Sequence, residues 1–201
     1  MNLKQIKKLE EEVKNLHLNP KQNKHSATDK NIKEAFSLFW YLHLEPVIDY
    51  SKRLAKKYKA KMDVVWLSAI FHDIARLDDR EPHDEISAGR AYKILLEKGA
   101  PKKLAAQVKA TILTHRCRRH KPKDLEQKIL ATADALSHFK PPFYFWFTFI
   151  SQKPFKEQLK TSLKKLERDF KEKIFFEDER KIIEKEYSIL KNWFKYYLKI
   201  K

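Results

Sequence analysis

Residues 63–79 read DVVWLSAIFHDIARLDD, and this stretch sets the terms for the whole chain. Val64, Val65, Trp66, Leu67, Ala69, Ile70 and Phe71 lead in, and Ile74, Ala75 and Leu77 follow. A segment apolar on most sides is a helix buried on most sides. Into it the sequence sets a titratable pair, His72 and Asp73. Aspartate is almost never fully buried without a partner, and an isolated buried charge is expensive. A metal ion is the usual compensation, so the question outward from this stretch is whether further ligands exist.

The 201 residues suit one medium-sized domain with a real core. Only two glycines occur, Gly89 and Gly99, which excludes both a P-loop and a Rossmann fingerprint. Few glycines and long 3.6-residue periods give an all-α expectation. The first residues, MNLKQIKKLEEEVKNL, lack the apolar run of a signal peptide, and no apolar stretch is long enough to span a bilayer. The lone Cys117 excludes an internal disulfide and fits a reducing compartment, so a cytoplasmic location is expected. The net charge of +17 makes a polyanion or a phosphorylated ligand a natural partner. Solvated lysine-rich helices, reflecting the genome or a hot habitat, would give the same number.

Leu3, Ile6, Leu9, Val13 and Leu16 mark a first amphipathic helix over 1–18, and Asn19–Lys30 reads as a loop. The next stripe is Phe36, Phe39/Trp40, His43, Val47, Tyr50 and Leu54, which puts His43 among the aromatics on a buried face. Pro46 should kink this helix or begin a new one just after His43. Alone, a histidine on an apolar face is ordinarily a packed core residue. After the central stretch, Asp84 or His83 can cap a helix over Glu85–Lys98, which Gly99 ends and Pro101 follows with another. Leu104, Val108, Ile112 and His115 share a face of that next helix. A basic turn, RCRRHKPK over 116–123, leads to Asp124 as a cap and to a helix carrying Asp134 on its inner side.

PPFYFWFTFI, residues 141–150, is the most aromatic part of the chain. Stacked nucleobases or a lid over a site would use it, but packing on the helical core is the ordinary expectation. Residues 154–201 give two basic amphipathic helices, broken near Phe176–Asp178, with Ile182, Ile183, Tyr187, Leu190, Trp193, Phe194 and Tyr197 inside.

His43, His72, Asp73, His83, His115 and Asp134 are thus inward-facing polar residues spread over several helices. Each would need its own polar partner if buried for an unrelated reason. Imidazole with carboxylate suits borderline divalent metals better than calcium.

The order His43 … His72-Asp73 … Asp134 resembles the HD-domain superfamily of metal-dependent phosphohydrolases, named for its His-Asp doublet. The phrase PHDEISAGRAYKILLEKGAPKKLAAQVKATILTHR also resembles the middle of many such proteins. The resemblance covers about residues 36–140 and implies an all-α bundle of about five core helices; the flanking residue patterns add an N-terminal helix and two C-terminal helices (extension about 141–201) packed on it. It implies that His43, His72, Asp73 and Asp134 hold a first divalent metal (Mn, Fe, Co, Ni, Zn or Mg). His83 and His115 would take a second metal or the substrate phosphate, with Asp73 bridging. Such a metal activates water and polarises a phosphoryl oxygen. Arg76 is the first candidate for neutralising charge on that phosphate, and Arg116 and Arg118 are the second, while Arg119 and Lys121 are expected in solvent.

The chain departs from better-known relatives just after the doublet, where Ile74-Ala75-Arg76-Leu77-Asp78-Asp79 replaces the usual Lys or Glu. The Glu-Asp pair of alarmone hydrolases and the Gly-Tyr-Pro motif of cyclic-di-GMP phosphodiesterases are also missing. The leading expectation is a phosphohydrolase acting on a phosphorylated small molecule or an oligonucleotide. A di-iron oxygenase of the same fold, and a basic nucleic-acid-binding protein with a structural metal, are the alternatives.

Overall fold

The computed structural model describes residues 1–19, 37–78, 81–140 and 142–200. Among them every regular element is helical. Phe36, Asp79 and the loop expected after Asn19 lie outside the described residues. Helix α1 (Leu3–Leu18) starts with a capping box between Asn2 and Gln5. It buries Ile6, Leu9, Val13 and His17, a narrower stripe than the sequence indicates, since Leu3 and Leu16 are exposed.

A single wide π-turn, Trp40–Leu44, leads directly into α2 (Glu45–Lys57). The Glu45 N–H reaches back five residues to the Trp40 carbonyl. Pro46 has no N–H to continue the ordinary ladder, so the expected break beside His43 takes the form of this change of pitch.

The apolar run becomes α3 (Met62–Phe71), which buries every residue from Val64 to Phe71. It tightens at His72-Asp73 into a 3-10 turn, Ile74–Asp78, where the Arg76 N–H meets the Asp73 carbonyl at 2.9 Å. Helices α4 (His83–Glu97) and α5 (Lys102–Thr114) form a hairpin. Gly99, at φ 75°, closes α4 in the left-handed region, and the next amide, Ala100 N–H, bonds to Leu95 O at 2.9 Å. Helix α6 (Leu125–Ser137) opens with the expected Asp124 cap, a capping box with Gln127. All five of α1, α2, α4, α5 and α6 pack on α3, which is the centre of the bundle.

Neither His83 nor Asp84 caps α4. The helix begins two residues earlier than expected, behind Pro82, and Glu81 accepts the His83 N–H at 3.1 Å. Proline preorganises the start, which frees both side chains for other uses.

The chain continues through α7 (Phe143–Phe149), α8 (Phe155–Arg168), a second π-turn at Asp169–Lys173, α9 (Glu177–Ile182) and α10 (Glu184–Lys199). The Thr132 hydroxyl of α6 donates to the Lys173 carbonyl (3.2 Å) and accepts the Phe175 N–H (3.1 Å). Tyr58 stacks on Phe176 at 4.0 Å, and buried Glu179 receives Arg53 and Lys57. One continuous apolar cluster therefore runs from Ile6 to Phe194.

Helix α10 buries only the line Ile183, Tyr187 and Phe194; Ile182, Trp193 and Tyr197, expected inside, are exposed. It packs on α8 along one seam, too narrow to cover three neighbouring lines of side chains. No helix among the described residues is long and apolar enough to cross a membrane.

Candidate metal centre

Five separate segments bring the polar residues together. The first π-turn carries His43, the end of α3 carries His72 and Asp73, α4 begins with His83, His115 follows α5, and α6 carries Asp134. All six are buried. They fall into two groups, His43 with His72 and Asp134, and Asp73 with His83 and His115.

In the first group, His43 Nε2 lies 3.3 Å from His72 Nε2 and 3.3 Å from Asp134 Oδ1. In the second, Asp73 Oδ1 lies 3.3 Å from His83 Nε2 and 3.6 Å from His115 Nε2. Asp73 faces both, because its Oδ2 is 3.5 Å from His43 Nε2.

The opposite ring nitrogens fix the tautomers. His72 Nδ1 lies 2.8 Å from the Ala69 carbonyl and His115 Nδ1 2.7 Å from the Ile112 carbonyl, acceptors that require a donated N–H. His83 Nδ1 meets Glu81 Oε1 at 3.0 Å. The Ser137 hydroxyl gives its proton to the Asp134 carbonyl at 2.7 Å, so His43 Nδ1 must be the donor in its 2.9 Å bond to Ser137 Oγ. In the neutral rings all four Nε2 atoms are therefore the lone-pair nitrogens, as in metal-binding imidazoles whose other nitrogen is held.

Burial, reinforced by neighbouring imidazoles, lowers the His72 pKa to about 4 against the pull of Asp73. Burial likewise brings His83 to about 4, helped by Arg76 and His115. Both stay neutral at pH 7, the form a ligand needs. Burial would raise the two carboxyls, but their interactions with the surrounding imidazoles and, for Asp134, an ammonium outweigh it. Asp73 is held well below the ordinary range by His72 and His83, and Asp134 by Lys173 and His138. Asp73 Oδ1 is nonetheless buried without a hydrogen bond. Lone pairs converging on an unsatisfied carboxylate are a donor set that a divalent cation would complete, and the residues fit one.

The structure adds residues that the sequence did not single out. His138, one turn beyond Asp134, stacks on His43 with centroids 4.9 Å apart and bonds Asp169 Oδ2 at 2.8 Å. Lys173 is buried with its ammonium on Asp134 Oδ2, which leaves Oδ1 toward the imidazoles. Lys165, Asp169 and Lys173 recur every four residues, an i,i+4 spacing visible in the sequence but indistinguishable there from a solvated charged face.

A cavity of about 790 Å³ opens above the two groups. Phe39, Phe143, Trp146, Phe147 and Ile150 form its apolar wall. The aromatic segment is therefore divided: Phe143, Tyr144 and Trp146 pack inward as expected, and Phe143 and Trp146 also face the cavity. The three expected arginines line it too. Glu81 holds Arg76 at 3.3 Å and Arg116 at 2.8 Å, and Asp84 adds a second contact to Arg116 at 3.2 Å. Arg119 points outward to Glu85. Eight cationic side chains line the cavity against three carboxylates, so its natural occupant is an anion.

Residues 40–138 match the family model of the HD domain. The all-helical bundle and the placement of the His-Asp doublet agree with that match, and residues 40–138 form an HD domain. Its fold is similar to the crystal structure of a predicted HD superfamily hydrolase from an uncultured Thermotogales bacterium. That likeness has a TM-score of 0.57 at 20% sequence identity and covers 98% of each chain, so the shared fold includes the terminal helices. No curated protein matches the chain.

Proposed function

We propose that the protein is a metal-dependent phosphohydrolase acting on a nucleotide or a related phosphorylated compound. One observation carries this reading: four imidazole nitrogens and two carboxylates converge beneath a cavity whose charged lining is eight cations against three carboxylates. His43, His72 and Asp134 would hold one divalent ion and Asp73, His83 and His115 a second, with Asp73 shared. Mn, Fe, Co, Ni, Zn and Mg are all compatible with this oxygen and nitrogen set. When bound, such ions lower the pKa of water and polarise a phosphoryl oxygen.

The remaining work falls to side chains of the chain itself. Arg76, Arg116 and Arg118 would bind the phosphate and offset charge that develops on its oxygens. Glu81 positions two of these guanidiniums and the His83 ring, so the substrate clamp and a ligand share one support. Lys173 fixes the Asp134 carboxylate from behind. The aromatic wall offers a flat, dry surface for a base or another ring.

The test is to measure bound metal and then screen phosphomonoesters, nucleotides and cyclic dinucleotides with Mn²⁺, Co²⁺, Ni²⁺ or Mg²⁺. Hydrolysis that disappears together with metal in Asp73→Ala is the expected result. A folded protein with no metal affinity would overturn the proposal.

A second reading, a di-iron oxygenase, draws on the completeness of the second ligand group. It predicts O₂ consumption by the iron-loaded protein. The cation-rich cavity favours phosphate chemistry.

A further inference from the structure

The family match ends at residue 138, yet much of the positive wall comes from later in the chain. Lys153, Lys164, Lys165, Arg168 and Lys173 all line the cavity. Three of these meet only two carboxylates. Lys165 Nζ is 3.1 Å from Asp169 Oδ2, and Arg168 Nη2 is 3.3 Å from Asp169 Oδ1. Lys173 sits on Asp134 and lies 3.9 Å from Asp169. Both acids carry further obligations, Asp134 to the imidazoles and Asp169 to the His138 ring. Positive charge on this side exceeds what the protein itself neutralises.

Two further features mark the cations around the cavity. Arg168 Nε is buried and has no hydrogen-bond partner, an unmet donor beside an already crowded carboxylate. Arg118, in the turn after α5, has its pKa lowered by burial and by the charges of Arg116 and Arg168. Gathering guanidiniums that repel one another is unfavourable unless an anion comes between them.

The charge balance bears on what that anion is. The lining holds eight cations and three carboxylates before any metal is counted. A phosphate monoester carries at most about two negative charges near neutral pH, by analogy with phosphorylated side chains. One such group, placed over the metal ligands and the Arg76/Arg116 clamp, leaves Lys165 and Arg168 of α8 to share the single carboxylate of Asp169.

We propose that Lys165 and Arg168 form a second anion subsite, built by the C-terminal extension, that takes another phosphate group of the same substrate. The compounds turned over best would then carry two or more phosphates, and simple monoesters would be poor substrates. The role of the subsite in turnover rests on the phosphohydrolase reading; its affinity for phosphate does not.

Calorimetric titration of EDTA-treated full-length protein with inorganic pyrophosphate tests the subsite apart from turnover. Wild type should bind it, and Lys165→Gln and Arg168→Gln should each weaken binding tenfold or more while the protein stays folded by circular dichroism. Arg119→Gln, an exposed control, should bind as wild type. In metal-loaded enzyme, KM for adenosine 3′,5′-bisphosphate should lie at least tenfold below that for adenosine 5′-monophosphate, and both variants should bring the ratio near one. Absence of pyrophosphate binding by wild type, or variants that bind it equally well, overturns the subsite. So does a KM ratio that the variants leave unchanged. If no phosphate ester is hydrolysed but pyrophosphate binding still depends on Lys165 and Arg168, the phosphohydrolase reading fails and the subsite stands.

Discussion

His43 and His72 turn their Nε2 atoms to within 3.3 Å of each other, and in each neutral ring the proton sits on the opposite nitrogen. Two lone pairs at that distance repel unless a cation lies beside them. Divalent metal should therefore bind to the whole chain with a stoichiometry of two. His72→Ala and His83→Ala should each lose one ion, and Asp73→Ala should weaken both. Elemental analysis after gel filtration reads the counts. Loss of even a supporting partner of a ligand commonly lowers affinity about 10–100-fold, so loss of a ligand should do at least as much.

Acid should destabilise the metal-free protein in a defined window. His72 and His83 have folded pKa values lowered to about 4, from an unfolded value of 6.5. Between these values the unfolded chain binds protons that the folded chain refuses, so stability falls as pH drops from 6.5 towards 4. Each shift is on the order of 3 kcal/mol as an upper figure. The two depressed carboxyls act in the same direction at still lower pH, because their stabilisation is lost as pH falls through their folded pKa values. Thermal unfolding in EDTA from pH 7 to pH 4.5 should show Tm falling throughout. A flat profile would contradict neutral, buried imidazoles.

Lys173→Met removes the ammonium that faces Asp134 and strands a buried carboxylate. Breaking a buried pair from one side typically destabilises by about 3–5 kcal/mol. Urea unfolding in EDTA should show a loss of this size. Added Mn²⁺ should recover part of it, because a cation can supply the missing charge.

Arg76→Ala and Arg116→Ala should raise KM for a phosphate ester by roughly 10-fold or more, since a hydrogen bond to a charged group contributes about 1.5–3 kcal/mol. Arg119→Ala, which faces solvent beside Glu85, should leave KM unchanged. Equal effects of all three would mean that only bulk charge matters.

The parts of the fold legible in the sequence were those set by local chemistry. The apolar run of 64–71 became the central helix, Asp124 capped, and Gly99 closed its helix at positive φ. The six ligand candidates also converge; five of them lay on apolar stretches whose burial the sequence announced, whereas His83 lay in a polar turn. His138, Lys173 and Asp169 escaped for the opposite reason. Lysine is almost never buried, and what permits it here is a carboxylate 39 residues away in sequence, a pairing no local pattern records. The capping role expected of Asp84 failed similarly, since its carboxylate is engaged by Arg116, 32 residues on.

One turn of α6 carries more than a ligand. Between residues 134 and 138 it supplies the Asp134 carboxylate, the Ser137 hydroxyl that sets the His43 tautomer, and the ring stacked on His43. These three move as a single rigid piece, while His72 and Asp73 ride on the end of α3. The base of the cavity is thus a joint between two stiff bodies, and an ion held across it would act as a rivet. Metal loading should then slow amide exchange along both helices far from the ligands, making the bundle's breathing a readout of occupancy.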